Sequence, residues 1–126
     1  MIAVDTSALM AVVLNEPEAD ACIAVLEGED QLLISAGTVA EALIVSRRRN
    51  VGEEIANLID GLGFEIVAVT AASRRIARAY AQWGKGVNAA GLNFGDCFAY
   101  EVAKEHACRL LYVGDDFSNT DIESAL

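Results

Sequence analysis

Short hydrophobic runs alternate with longer stretches of helical periodicity along this chain of 126 residues. The hydrophobic runs predict strands over residues 2–4, 31–34, 65–69 and 109–113. Between the strands, apolar positions recur at the spacing of amphipathic helices. Because strands alternate with helices, the pattern predicts an α/β fold in which helices flank a mostly parallel central sheet.

Cap residues and glycines delimit the predicted helices. The first helix follows Asp5 and runs to residue 14, with Thr6 or Ser7 as its N-cap. Ser35 is expected to cap a helix over residues 37–49, and Thr70 to cap the helix that carries Arg74. Further helices are predicted over residues 19–27, 51–62 and 96–106, and the glycine-rich stretch 84–95 predicts a loop.

Length and composition indicate one domain over residues 1–126, because a chain of this size buries a single core. Hydrophobic residues make up 54% of the sequence, yet no apolar run approaches the ~20 residues of a membrane span. The start of the chain, MIAVDTSAL, has no basic leader, so we expect a cytoplasmic protein. Cys22, Cys97 and Cys108 show no ligand spacing and are expected to be reduced core thiols.

Several acidic residues lie at the ends of predicted strands or at the start of a predicted helix. Asp5 ends the first strand, Asp115 and Asp116 follow the last one, and Asp96 opens the last helix. In open α/β sheets, functional groups gather beyond the carboxyl ends of the strands, so these scattered acids are expected to meet there. Because carboxylates brought together repel one another, we expect a divalent cation, Mg²⁺ or Mn²⁺, to offset their charge.

Glu41 is the acid that surface charge explains least well. It lies in the segment VAEALIV, where Val39, Ala40, Ala42 and Leu43 predict an apolar, core-facing surface. A nearly buried carboxylate without a partner is costly, which favours a role in the metal site. Many of the other acidic residues, out of 19 in the chain, serve equally well as caps and solubilising charge.

This acid set predicts chemistry on a phosphodiester. A metal there would activate a water as nucleophile and neutralise the charge that grows on the phosphate oxygens. The net charge of −10 has the wrong sign for binding nucleic acid through bulk electrostatics. Any polyanion must therefore be drawn locally, and arginines cluster at positions 47–49 and at 74, 75 and 78.

Four segments carry a resemblance to a known family: VDTSAL, VAEAL, LNFGDCFAY and GDDFSNTDI. Together they resemble the PIN-domain ribonucleases, and most of all the VapC-type toxins of bacterial toxin–antitoxin pairs. The resemblance implies a PIN-like three-layer fold and a metal-dependent endoribonuclease. It also implies a cognate antitoxin that holds the enzyme inactive, and a homodimer.

The resemblance also implies roles for individual residues. Asp5 and Asp96 match the family's central metal ligands, and Glu41 matches its helix-borne acid. Of the last pair, we favour Asp116 over Asp115 as the residue that faces the metal. The remaining candidates for contacts to substrate or to the metal ligands are Thr6, Ser7, Asn93 and Asp121. For Thr6, Asn93 and Asp121 a cap or turn role is an equal alternative.

Two other functions remain open from the sequence. A haloacid dehalogenase-like phosphatase also begins with an acid at a strand end, but its nucleophile needs a second Asp where this chain has Ser7. A catalytically silent PIN-like binding module would keep the acids only as a cation-stabilised scaffold. Metal-dependent RNA cleavage by the purified protein would distinguish the ribonuclease from both alternatives.

Overall fold

Four parallel strands form the central sheet of the structure, a computed structural model that describes residues 1–126. They are β1 (Ile2–Val4), β2 (Leu32–Ser35), β3 (Glu65–Val67) and β4 (Arg109–Leu111). Their order across the sheet is β3-β2-β1-β4, and every neighbouring pair is parallel. The predicted mixed α/β architecture is confirmed, with a sheet that is entirely rather than mostly parallel.

Six helices surround this sheet. They are α1 (Thr6–Val13), α2 (Ala19–Gly28), α3 (Ala36–Arg48), α4 (Gly52–Gly61), α5 (Ser73–Trp83) and α6 (Phe94–Glu105). None of them is long and apolar enough to cross a membrane. The three cysteines are unpaired, as the sequence predicts.

Alternation of side chains along the central strands divides the core into two clusters. Ile2 and Val4 of β1 lie in one cluster with residues of α1 and α2, whereas Ala3 lies in the other with residues of α5 and α6. All three side chains are buried because helices cover both faces of the sheet. This three-layer packing leaves the ends of the strands as the place where polar groups meet.

Strand lengths differ from the predictions because the neighbouring strand ends. The sequence predicts β3 through residue 69, but its last partner is Ser35, after which the chain turns into α3. Likewise β4 ends at Leu111, which pairs with Val4, rather than at residue 113. β2 runs over residues 32–35 instead of 31–34.

Two predicted helix caps are wrong. Asp5, not Thr6 or Ser7, caps α1, since its side chain accepts a hydrogen bond from the Ser7 amide. Thr70 does not cap α5, which begins after Ala72 without a side-chain cap. A turn joining the Ala72 amide to the Val69 carbonyl at 2.8 Å separates Thr70 from the helix.

Helix α6 begins two residues earlier than predicted, at Phe94. Asn93 caps it, so the predicted loop ends before the aromatic residue rather than at Gly95. The capping hydrogen bonds on either side of Gly95 hold that glycine in the helix.

The predicted apolar surface of α3 is only partly buried. Thr38, Ala42 and Ser46 face the core at a spacing of four residues, and all three have no exposed surface. Leu43 and Ile44 consequently lie on the outer face, 40% and 57% exposed. The prediction that Leu43 and Ala40 face the core is therefore wrong.

We expect the central and edge strands to differ in their contribution to stability. Leu33→Ala in β2 removes a side chain with no exposed surface and should lower the free energy of unfolding by about 2–5 kcal/mol. Ile66→Ala in β3 is the control, because Ile66 is 55% exposed, and it should cost less than about 1 kcal/mol. Urea unfolding measures both, and equal losses would contradict the layered core.

Candidate active site

Asp5 carries a buried carboxylate at the carboxyl end of β1. Its Oδ2 atom accepts hydrogen bonds from the Ser7 amide at 3.0 Å and the Ser7 hydroxyl at 2.6 Å. Its Oδ1 atom is buried and has no hydrogen-bond partner in the protein. One oxygen of this carboxylate is therefore fixed by the first turn of α1, while the other is available to a ligand.

Ser7 joins the two strands whose ends define the site. Its hydroxyl donates to Asp5 and accepts a hydrogen bond from the Val113 amide at 3.0 Å. Val113 lies two residues beyond β4 and immediately precedes the segment Gly114–Asp116. Ser7 thus holds the start of the last acidic segment against the end of β1.

Glu41 reaches the site from the middle of α3 and is partly buried. Its Oε1 atom accepts a hydrogen bond of 2.6 Å from the Thr6 hydroxyl. Its Oε2 atom lies against Gly95 of α6, where an added Cβ would overlap it. The absence of a side chain at Gly95 is what allows this carboxylate between α1, α3 and α6.

Asp96 is buried in the first turn of α6 and forms a capping box with Asn93. The Asp96 Oδ2 atom accepts from the Asn93 amide at 2.9 Å, and the Asp96 amide donates to the Asn93 Oδ1 atom at 2.8 Å. The two residues satisfy each other's backbone groups and fix the orientation of the carboxylate. Of the two roles open for Asn93, support of the Asp96 turn is the one that the structure contains.

Burial and neighbouring acids raise the pKa of both central carboxyl groups. Removal from water raises the pKa of Asp5 to about 6, against the hydrogen bonds from Ser7, and the charge of Glu41 adds to the rise. Removal from water raises the pKa of Asp96 to about 7, and the charges of Asp5, Asp116 and Glu41 raise it further. Four acids are thus close enough to repel one another.

Asp115 and Asp116 differ in their relation to this site. Asp116 is among the charges that raise the pKa of Asp96, and Asp115 is not. The Asp115 carbonyl accepts hydrogen bonds from Ser118, from its hydroxyl at 2.6 Å and its amide at 3.1 Å, in the turn that follows β4. This geometry favours Asp116 as the fourth acid of the site.

Asp121 does not join the acids. Its carboxylate accepts hydrogen bonds from the Tyr100 hydroxyl at 2.8 Å and from the Lys104 ammonium at 2.9 Å. It lines a surface cavity with Met1 and Arg109, which lie at the amino ends of β1 and β4. The prediction that Asp121 contacts the metal ligands is therefore wrong.

A divalent cation fits the donor set at this edge of the sheet. The buried and unpaired Asp5 Oδ1 atom is an oxygen that a cation would satisfy, and the crowded negative charge favours one. As the side chains stand, no three acids are grouped closely enough to enclose a metal ion. Mg²⁺ requires no such cage, because it binds through one or two carboxylates and keeps several waters.

Sequence reasoning missed Gly95 and the bridging role of Ser7. The sequence predicts Gly95 in a loop, although its place directly before a helical acid is a signal for close approach by another group. The bridge through Ser7 joins residues 106 positions apart. No local pattern predicts that contact, but a serine two residues after a strand-end Asp is typical of a side-chain turn.

Comparison with known proteins places this geometry in a family. The family model described as PIN domain matches residues 2–123. Ribonuclease VapC30 of Mycobacterium tuberculosis is 40% identical over 123 residues, which is 94% of each chain. Ribonuclease VapC36 of the same organism is 42% identical over 125 residues, covering 95% of this chain and 90% of the relative.

Two solved structures share the fold. The crystal structure of Mycobacterium tuberculosis VapC20, described as a sarcin-ricin loop cleaving toxin, has a TM-score of 0.78 at 16% identity and covers 97% of this chain and 96% of its own. A chain of a toxin–antitoxin complex from Klebsiella pneumoniae has a TM-score of 0.70 at 18% identity, covering 96% and 93%. At these identities the likeness concerns the fold alone.

The fold and the site define a parallel α/β protein with a carboxylate cluster at the carboxyl edge of its sheet. The chain belongs to the PIN domain family and is a VapC-type member of it. The resemblance seen in the sequence is confirmed, and the haloacid dehalogenase-like alternative is excluded.

We expect Gly95→Ala to displace the Glu41 carboxylate with little effect on stability. The new methyl group would meet the flexible end of Glu41 rather than backbone, and alanine is favoured over glycine inside helices. The affinity for Mn²⁺, measured by titration calorimetry, should fall about 10-fold or more, while the melting temperature stays level or rises. Gly28→Ala is the control, because nothing lies within 4 Å of a Cβ there. Unchanged Mn²⁺ affinity in Gly95→Ala would contradict a role for the Glu41 carboxylate in binding the ion.

The raised pKa values predict an unusual dependence of stability on pH when divalent ions are removed. From the ordinary 3.8 up to about 6 for Asp5 and about 7 for Asp96, the folded state binds more protons than the unfolded state. The free energy of unfolding should therefore fall as pH rises through this window. We expect a higher melting temperature at pH 5 than at pH 7.5 in EDTA.

Asp96→Asn should remove much of this pH dependence and stabilise the protein at pH 7.5 by about 1–3 kcal/mol, since one pKa unit corresponds to ~1.4 kcal/mol. Asp60→Asn on the exposed face of α4 is the matched control and should change neither quantity. Thermal denaturation in EDTA measures both variants. A melting temperature that rises between pH 5 and pH 7.5 in the unmodified protein would refute the expectation.

Proposed function

We propose that this chain is the toxin of a toxin–antitoxin pair, a metal-dependent endoribonuclease that hydrolyses RNA phosphodiester bonds. One observation carries the proposal: the buried Asp5 carboxylate keeps an unpaired oxygen beside Asp96, whose pKa burial and the surrounding acids raise to about 7. A fold maintains such repulsion where a cation and a phosphate offset it. The relatives that match nearly the whole chain are VapC ribonucleases, which supports the same activity.

Hydrogen bonds to one oxygen of each central acid prepare the site for its ligand. Ser7 holds Asp5, Asn93 holds Asp96, and Thr6 holds Glu41. Asp5 and Asp96 keep their other oxygens for the site, whereas the other oxygen of Glu41 lies against Gly95. Asp116 adds a fourth acid from the exposed turn after β4. The geometry of three acids is thereby set before any ligand arrives.

Asp5 and Asp96 are the proposed metal ligands, with Glu41 and Asp116 completing the acidic set. Mg²⁺ or Mn²⁺ is the proposed ion, because hard oxygen donors suit both. When bound, such an ion supplies a lowered pKa to a water and offsets charge on the phosphate oxygens. The surrounding carboxylates would accept hydrogen bonds from such a water and orient it.

Local arginines offset the unfavourable net charge of −10 as the RNA approaches. Arg47 and Arg48 are exposed on the last turn of α3, and Arg74 and Arg78 are exposed on α5. None of these four forms an ion pair within the chain, whereas Arg75 is held by Glu101 at 2.8 Å and Glu105 at 3.3 Å. The four free arginines are the proposed contacts for RNA phosphates.

A cognate antitoxin protein and a second copy of the chain are the proposed partners, with the cytoplasm as the proposed location. A toxin–antitoxin complex from Klebsiella pneumoniae contains a chain of this fold, which supports the first partner. Leu43 on the outer face of α3 supplies exposed apolar surface for protein contact. The three unpaired cysteines agree with a reducing compartment.

Substitution of the acids tests the proposed activity. With Mg²⁺ or Mn²⁺, the purified protein should cleave total bacterial RNA, and Asp5→Asn or Asp96→Asn should reduce cleavage at least ~100-fold, because each variant removes a proposed ligand. Asp116→Asn should also reduce cleavage strongly, whereas Asp115→Asn, the adjacent matched control, should not. Gel electrophoresis of the RNA with and without EDTA measures all four.

Two results would count against the proposal in different ways. Undiminished cleavage by both Asp5→Asn and Asp96→Asn would refute the mechanism. Folded wild-type protein that binds Mn²⁺ and leaves every RNA intact would instead indicate the catalytically silent binding module.

A further inference from the structure

We propose that the exposed ring of Phe94 stacks on a base of the RNA next to the bond that is cut. The inference rests on the proposed ribonuclease function and adds a base-binding residue to that site. It concerns a slot of about 300 Å³ between α3 and α6, which we call the base slot. Its walls include Phe94, Phe98, Ile44 and Glu41, and Gly37 and Gly95 lie between them.

Phe94 is exposed, and its ring has an aromatic packing partner. It is the most exposed large hydrophobic side chain of the protein, at 70%. Its ring packs edge-to-face on Phe98, with ring centres 4.9 Å apart and planes at 84°. It is the first residue of α6, directly after the capping residue Asn93, so its backbone is fixed as well. An aromatic face presented to solvent is suited to stacking.

Two glycines let Phe98 and Glu41 pack closely where α3 and α6 meet beside the base slot. A Cβ at Gly37 would overlap the ring of Phe98, and a Cβ at Gly95 would overlap the carboxylate of Glu41. Helices α3 and α6 therefore approach closely at these points, and the cavity of about 300 Å³ lies beside them, with Phe94 in its wall.

The position of the base slot favours a nucleobase as its occupant. Glu41 and Gly95 belong to both the slot and the acid cluster, and Asp96 lies two residues after Phe94. A phosphodiester held at the acids carries nucleosides on both sides, and the slot that shares Glu41 with the acids is the proposed place for one of their bases. No lysine or arginine lines the slot, which makes it a poor site for a phosphate and a suitable one for a flat, uncharged ring.

A second copy of the chain fits this position less well. Each copy has a net charge of −10 and carries the same acids beside the slot. Two copies facing each other there would bring both carboxylate clusters together without compensating charge. The RNA brings its phosphates to the same acids only together with a cation.

The test compares Phe94→Leu, which removes the aromatic face but keeps an apolar side chain, with Phe94→Trp, which keeps a face. Tyr80→Leu is the matched control, because Tyr80 is an exposed aromatic residue on α5 outside the slot. Each purified variant is incubated with total bacterial RNA and Mn²⁺, and the cut ends are sequenced. Thermal denaturation confirms that the variants remain folded.

We expect Phe94→Leu to cleave about 5- to 100-fold more slowly and to lose base preference at a position flanking the cut. Phe94→Trp should keep both rate and preference, and Tyr80→Leu should match the wild type. As a readout other than cleavage, Phe94→Trp combined with Asp96→Asn should show quenching of the added tryptophan by a single-stranded RNA oligonucleotide in Mg²⁺.

Cleavage by Phe94→Leu at the wild-type rate and with the wild-type preference would overturn the base slot and leave the ribonuclease proposal standing. The same cleavage together with an altered mass in solution would assign the Phe94 face to a protein contact, which also overturns it. Absence of cleavage by the wild type overturns the ribonuclease proposal and the base slot with it.

Discussion

The hydrogen bonds of Ser7 hold together the part of the molecule on which the site depends. Its hydroxyl donates a hydrogen bond of 2.6 Å to the buried Asp5 carboxylate and accepts one of 3.0 Å from the Val113 amide. The first contact fixes the acid at the end of β1, and the second brings the chain after β4 to the same edge. Asp5 and the segment before Asp116, which come from opposite ends of the sequence, therefore lie at the same edge of the sheet.

The fold retains this arrangement against its own electrostatics. Burial raises the pKa of Asp5 to about 6 and that of Asp96 to about 7, so ionising both at neutral pH costs folding free energy. The two apolar clusters on either face of the sheet must supply the compensating stability. A site under such strain gains stability from any cation that binds only the folded state.

Much of this site was predictable because strand ends and helix starts are local features. The local sequence is enough to select Asp5, which follows an apolar run, and Asp96, which lies at a helix start, as candidate site residues. The parallel topology of the sheet then brings them together. The strand ends at residues 67 and 111 were not predictable, because each depends on where a neighbouring strand turns away. The same holds for Leu43, whose exposure depends on which face of α3 meets the core.

The roles of Thr70 and Asp121 were not predictable either, because each depends on contacts formed only in the folded chain. A turn at residues 69–72 leaves Thr70 outside α5. Tyr100 and Lys104 bind the Asp121 carboxylate on another part of the surface.

Helices α1 and α6 both begin at the acid cluster, and the carboxylates of Asp5 and Asp96 are bound to amides at their amino ends. The partial positive charge of two helix amino ends is therefore directed at the place where negative charge accumulates. The groups that start these helices are the groups that orient the acids. A substitution that weakens either hydrogen bond would therefore fray a helix and misalign a carboxylate of the candidate site at once.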